Sequence, residues 1–301
     1  MEHVRQVSRE FVTGQDAVLH LEARSGSVHL EAHASDRIQV DATVRVYSVA
    51  SDDADEAARA VAAAMEQDGD GRVIVRAPAL PEISGGWSLL KLGQRGASID
   101  YRVRVPTSTA ARVLSRSGSV EITGVHGRVH AEVISGRCRV YNVAGETTVV
   151  ARSGAVEVDR VDGRLVAEAR SGRVHVSNIH GPAEVEARSG AVDVARVSGD
   201  LRVGSRSGRV TVEDPGAAVR VRARCGPVHF SGVVRGDVDI EVSTGPIVFA
   251  ADPDTPFFID AETRVGPITS DLPKRATAGG AGGGPKVRLR TNTGPIHLTR
   301  T

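Results

Sequence analysis

The chain has 301 residues, a formal charge of +1, and only five Phe, three Tyr and one Trp. The near-zero net charge gives no general attraction for a polyanion and leaves that role to a local patch. The shortage of aromatics requires a core of Val, Ile, Leu and Ala, and the abundance of Val favours strands.

From the N-terminus, Met1 to Gln15 contains no apolar run, and no later stretch approaches the ~18 apolar residues of a membrane span. The expectation is a chain without leader or transmembrane segment, cytoplasmic as encoded. Residues 11–46 read as strands: Leu19, Leu21 and Ala23 alternate with Val18, His20 and Glu22, and Ile38, Val40, Ala42, Val44 and Val46 keep a strict period of two. Ser51 followed by Asp52, Asp53, Asp55 and Glu56, then by Ala57, Ala58, Ala60, Val61 and Ala64, predicts one helix over about 52–66 with Ser51 as its N-cap. Val73 to Ala77 returns to strand. Residues 78–97 form a Pro- and Gly-punctuated loop carrying Trp87, Leu89 and Leu90, a candidate binding loop whose simpler reading is an apolar plug. Ile99 to Val105 is a further strand.

A strict metre follows. Gly118, Gly136, Gly154, Gly172, Gly190, Gly208 and Gly226 are each 18 residues apart, and Gly127, Gly145, Gly163, Gly181 and Gly199 fall halfway between. Counting the first set as position 1, apolar residues recur at positions 3, 5 and 8 and again at 12, 14 and 16. A change of parity demands a bend at the Ser-Gly step and another near positions 6 and 7. Each coil is therefore two strands joined by two corners, an all-β, single-chain parallel β-solenoid (β-helix), mainly two-sheet. Beyond Gly226 the same phrase recurs at Gly245, Gly266 and Gly294 with lengthened spacing. One solenoid domain over 1–301 is expected: irregular N-terminal coils over 1–106, regular 18-residue coils over 107–245, and irregular coils over 246–301. Its last strand, Ile296 to Thr299, would close the far end with only Arg300 as a charged guard.

The Ser-Gly-x-Val-x-Val-x-x-Val-x-Gly repeats, the lead-in from Ile99 to Pro106, the early phrase Ser25-Gly26-Ser27-Val28 and the interposed helix together resemble the bacterial putative-adhesin family of β-strand-repeat proteins, a domain of unknown function. The resemblance spans nearly the whole chain. It implies a single-chain β-helix and an association with the bacterial envelope and its stress responses, and it brings no catalytic residues.

Repetition turns a residue type into a column, because equivalent positions stack in successive coils. Position 17 is Arg116, Arg152, Arg170, Arg188, Arg206 and Arg224, interrupted by Ile134, with Arg24 and Arg264 at the ends. Guanidinium groups ~5 Å apart repel unless neutralised. Pairing with the position 15 acids Glu132, Glu168 and Glu186 is the simpler solution. The acids stop at Gly204, so Arg202, Arg206, Arg220, Arg222 and Arg224 form the candidate polyanion-binding patch. An anionic glycan or envelope polymer suits it; nucleic acid is disfavoured because no aromatics interleave. A second copy docking through the solenoid ends is the other partner the residues suggest. The serine column at position 18 repeats identically and reads as corner, not nucleophile. The histidines, His175 beside Asp193 among them, lack the third ligand a metal site needs. Cys138 and Cys225, nearly five coils apart, have no route to a disulfide. No catalytic residue, metal ligand or cofactor is assigned, and the expectation is a non-enzymatic binding or scaffold protein, with a self-assembling filament as the alternative and a carbohydrate-active enzyme behind both.

Overall fold

The computed structural model describes residues 2–14, 16–47, 51–78, 97–252, 254–272 and 284–301. It has two compact units, Met1–Gly145 and Glu146–Thr301. The first holds β1 (Glu2–Val12), β2 (Val18–Ala23), β3 (Val28–His33), β4 (Arg37–Tyr47), α1 (Asp52–Ala63), β5 (Met65–Gln67), β6 (Val73–Val75), β7 (Ala97–Pro106), β8 (Ala110–Ser117), β9 (Val120–Thr123) and β10 (Val129–Ala144). The second holds β11 (Thr147–Asp162), β12 (Leu165–Ser171), β13 (Val174–Ile179), β14 (Ala183–Ser189), β15 (Val192–Val197), β16 (Leu201–Ser207), β17 (Val210–Glu213), β18 (Val219–Cys225), β19 (Val228–Gly232), β20 (Val238–Thr244), β21 (Ile247–Ala251), β22 (Phe258–Val265), β23 (Ile268–Ser270), β24 (Lys286–Thr293) and β25 (Ile296–Arg300).

Each unit is a parallel β-solenoid. In unit 1, β6, β2, β8 and β10 pair in parallel in that order along one side of the coil, and β7, β3, β9 and the second half of β10 pair in parallel along the other. There β4 pairs antiparallel with β7, and β1 with β4. The helix α1 packs on β1 and β4 through the buried Ala54, Ala57 and Val61. It stops at Ala63, short of the expected 66, because buried Met65 begins an extended strand that pairs antiparallel with Val73–Val75. Ser51 is not a side-chain cap: its backbone is already helical and its hydroxyl makes no capping bond. Its carbonyl still accepts the first-turn N–H of Ala54 at 3.0 Å, while Asp52, Asp53 and Asp55 place negative charge at the positive helix end.

In unit 2 every rung repeats the register. Leu165 pairs with Ala183, Ala183 with Leu201, and Leu201 with Val219, all buried; Val174, Val192, Val210 and Val228 do the same on the other sheet. Both expected bends are present. At the Ser-Gly bend the glycines adopt φ of +120° to +136°, as at Gly172, Gly190 and Gly208. A side chain on Gly172 would overlap the carbonyl of Gly154, so conformation and space both require glycine there. At the second bend, position 7 is left-handed in coil after coil: Arg160, Asn178, Arg196 and Asp214 have φ between 46° and 56°. For an arginine that conformation costs about 1 kcal/mol, which the surrounding ladder holds in place. Scarce as they are, aromatics do enter the core in the later coils: Phe230 stacks on Phe249 at 4.7 Å, and Phe257 meets Phe249 edge-on at 6.0 Å.

The C-terminal rungs differ from the expected order. Ile296 to Thr299 does not form the end of the ladder. Instead β24 pairs with both β20 and β22, and β25 pairs with both β21 and β23. The last coil in sequence is thus slotted inside, and the preceding one, β22 with β23, is the outermost rung. The outward charges favour that order. The outward residues are Arg220 and Arg222 on β18, Asp239 and Glu241 on β20, Arg288 and Arg290 on β24, and Asp260 and Glu262 on β22. In space they alternate in sign, with Arg220–Asp239 at 3.5 Å, Arg222–Glu241 at 3.8 Å, Arg288–Asp260 at 3.8 Å and Arg290–Glu262 at 3.6 Å. Sequence order would have stacked two acidic rungs on each other, and like charges directly opposite across strands destabilise a sheet.

Candidate arginine ridge

The ridge is built by the Arg-Ser-Gly step of each coil. Positions 12, 14 and 16 point inward and are buried, as with Leu165, Ala167 and Ala169, so the alternation of the strand turns position 17 outward just before the glycine bend. Arg152, Arg170, Arg188, Arg206 and Arg224 are therefore exposed on five successive rungs, spanning about 19 Å at ~4.8 Å per rung. In unit 1, Arg24 and Arg116 are likewise exposed.

The expected pairing with position 15 is not made. Among the described residues none of these five arginines has an ion pair within 4.0 Å, and neither do Glu168 and Glu186. Glu186 leans along its own column and puts its carboxylate in the space that a side chain at Gly204 would fill. There, partial burial and then the neighbouring Glu184 and Glu168 push its carboxyl above the usual range. Like charges stack in both columns.

The five residues expected to bind a polyanion divide into two groups. Arg202, Arg206 and Arg224 have no ion pair among the described residues, whereas Arg220 and Arg222 face Asp239 and Glu241. Two more exposed arginines, Arg173 and Arg209, stand on the far side of the same bend, three residues after Arg170 and Arg206. The signal for them was the phrase Arg-Ser-Gly-Arg, which the reading by columns passed over. The serines at position 18 are exposed, and the corner ladder runs through their carbonyls instead: Gly172 N–H donates to Ser189 O at 3.1 Å and Gly190 N–H to Ser207 O at 3.0 Å. Their hydroxyls form a polar row beside the guanidinium groups. Trp87, Leu89 and Leu90 lie outside the described residues.

A second polar cluster, at positions 6 and 7, is internally satisfied. Ser177 and Asn178 donate to Asp159 Oδ1 at 2.7 and 2.6 Å, Arg196 Nε donates to Asn178 Oδ1 at 2.7 Å, and Arg160 lies 3.3 Å from Asp159. Partial burial pushes the Asp159 carboxyl up, but the two hydrogen bonds and the neighbouring Arg160 and Arg196 outweigh it and hold it below its ordinary value. This cluster fastens the left-handed bend. His175 stands opposite Asp193 as its column requires, and no group of three or more metal-ligating side chains occurs among the described residues. Both cysteines are free; Cys138 is buried, which pushes its thiol up to about 12, and Cys225 is exposed. No helix among the described residues is long and apolar enough to cross a membrane.

No protein-family model matches the chain, and no curated protein matches it. Among solved structures it is similar to a putative cell adhesion protein from Clostridium sporogenes ATCC 15579, at 10% identity over 100% of this chain and 99% of that one, with a TM-score of 0.21. It is also similar to a putative adhesin from Bacteroides fragilis NCTC 9343, at 8% identity over 99% and 97% of the two chains, with a TM-score of 0.33.

Proposed function

We propose that this protein is a non-enzymatic β-solenoid that binds an anionic polymer along the arginine ridge of unit 2. The observation that carries the reading is the run Arg152, Arg170, Arg188, Arg206 and Arg224: exposed, one rung apart, and without an acidic partner among the described residues. A regular row of guanidinium groups suits carboxylate, sulfate or phosphate groups repeated along a chain, because each planar fork offers two parallel donors. The serine hydroxyls alongside can bond the neutral oxygens of a glycan. Arg202 adds charge at the rung where the acids stop. Arg220 and Arg222 act as flanking residues, since each already faces a carboxylate. An extended acidic glycan of the kind found in cell envelopes fits this row better than nucleic acid, as no aromatic side chains stand among the arginines to stack on bases.

The test is binding of a polyuronate, a sulfated glycan and inorganic polyphosphate to the full chain at low and high salt. The triple variant Arg170→Glu, Arg188→Glu, Arg206→Glu should lose at least ~10-fold in affinity, about 1.4 kcal/mol, and show a flatter salt dependence. The control Arg220→Glu, Arg222→Glu should lose much less. Unchanged affinity in the triple variant, or no binding of any of the three polymers, would sink the reading.

A further inference from the structure

The outermost rung of unit 2 has one side without a strand partner among the described residues. On its inner side β22 pairs with β24 and β23 with β25. The consequences of the missing neighbour are visible in the core columns. Ile247 and Ile296 are wholly buried, whereas Ile268 in the same column is 45% exposed. Ile259 and Ala261 continue the columns of buried Val287 and Leu289, yet both are only half-buried. Such a rung presents both an open row of backbone donors and acceptors and an unfinished apolar core.

The charges on this rung say what would complete it. The column at position 15 runs Arg222, Glu241, Arg290, Glu262, so the next rung should bring a basic residue opposite Glu262. The strand itself carries one that is unused: Arg264 is exposed and has no ion pair among the described residues. We propose that the β22–β23 edge is a self-association surface, on which β22 of a second copy pairs antiparallel about a two-fold axis at Thr263. In that register Glu262 stands opposite Arg264 of the partner copy, and Arg264 opposite its Glu262, so the alternation continues across the interface. Ala261 meets Val265 of the other copy, covering a side chain that is 59% exposed in the single chain. Centring one residue earlier would set Glu262 against Glu262, which is why the charges select Thr263. The pairing is isologous and closes at two copies, so it yields a dimer and not a filament.

Sedimentation velocity across concentration tests this. The wild-type chain should form a dimer in the micromolar range. Glu262→Arg and Arg264→Glu each place like charges opposite at both ends of the register, and each alone should weaken dimerisation at least ~10-fold. Mixed in equal amounts, the two variants restore both attractive pairs and should form a mixed dimer. Circular dichroism checks that each variant is folded; Glu262→Arg also loses the Arg290–Glu262 pair within the chain, so recovery in the mixture, which that loss alone cannot produce, is the deciding readout. A wild-type chain that stays monomeric to high concentration overturns the proposal. So does a dimer that survives both single variants, or a mixture that does not recover.

Discussion

Two stretches of unit 2 treat surface charge in opposite ways. From β18 to β22 the outward columns at positions 13 and 15 alternate in sign, and Arg220, Arg222, Arg288 and Arg290 each face a carboxylate within 4.0 Å. From β12 to β16 like stacks on like at positions 15 and 17: Glu168 pairs in register with Glu186, and Arg170, Arg188 and Arg206 follow one another with no ion pair among the described residues. The backbone is the same in both, so the ladder does not require either pattern. Where charges alternate they favour the observed order of strands. Where they repeat they oppose folding slightly, a cost that the proposed binding of an anionic polymer would offset.

The strongest way to break the comparison is to remove what the two stretches share. Gly172→Ala puts a side chain into the Gly154 carbonyl at a left-handed position, and should cost at least ~3 kcal/mol or abolish folding, read by thermal melting. Reversing the inserted strand comes next. Arg288→Glu with Arg290→Glu would stack three acidic rungs, losing exposed ion pairs and adding repulsions for about 1–2 kcal/mol in all. Hydrogen exchange should rise first in β22 and β23, and unchanged protection there would show that charge does not determine the order. The smallest change sharpens the other side. The Glu186 carboxyl is raised in the folded state, so its charge opposes folding above that raised value and the penalty fades as pH falls through it. Glu186→Gln should therefore stabilise the protein at neutral pH by about 0.3 kcal/mol after allowing for solvent screening, with the gain shrinking toward pH 4.

Much of the fold was legible because a repeat states one local rule many times. Glycine at the bends, Val and Leu at positions 3, 5, 12 and 14, and the parity changes follow from strand alternation, and each reappears in the register of β12 to β19. The ridge was legible as a column of arginines, but its state was not. Positions 15 and 17 share a face, which suggested pairing, and sequence spacing cannot show that Glu186 folds over the vacant space at Gly204 instead. The signal for the swapped C-terminal rungs was present and unread: two acidic pairs, Asp239 with Glu241 and Asp260 with Glu262, follow each other before the basic pair Arg288 with Arg290.

By itself, then, the amino-acid sequence determined the coil, its corners and its inward columns, because those depend on neighbours along the chain and on a period that repeats. Only the tertiary structure decided which rung ends unit 2, which arginines find a carboxylate and which do not. Those outcomes depend on strands brought together across lengthened connections, where the metre no longer says which rung lies next to which.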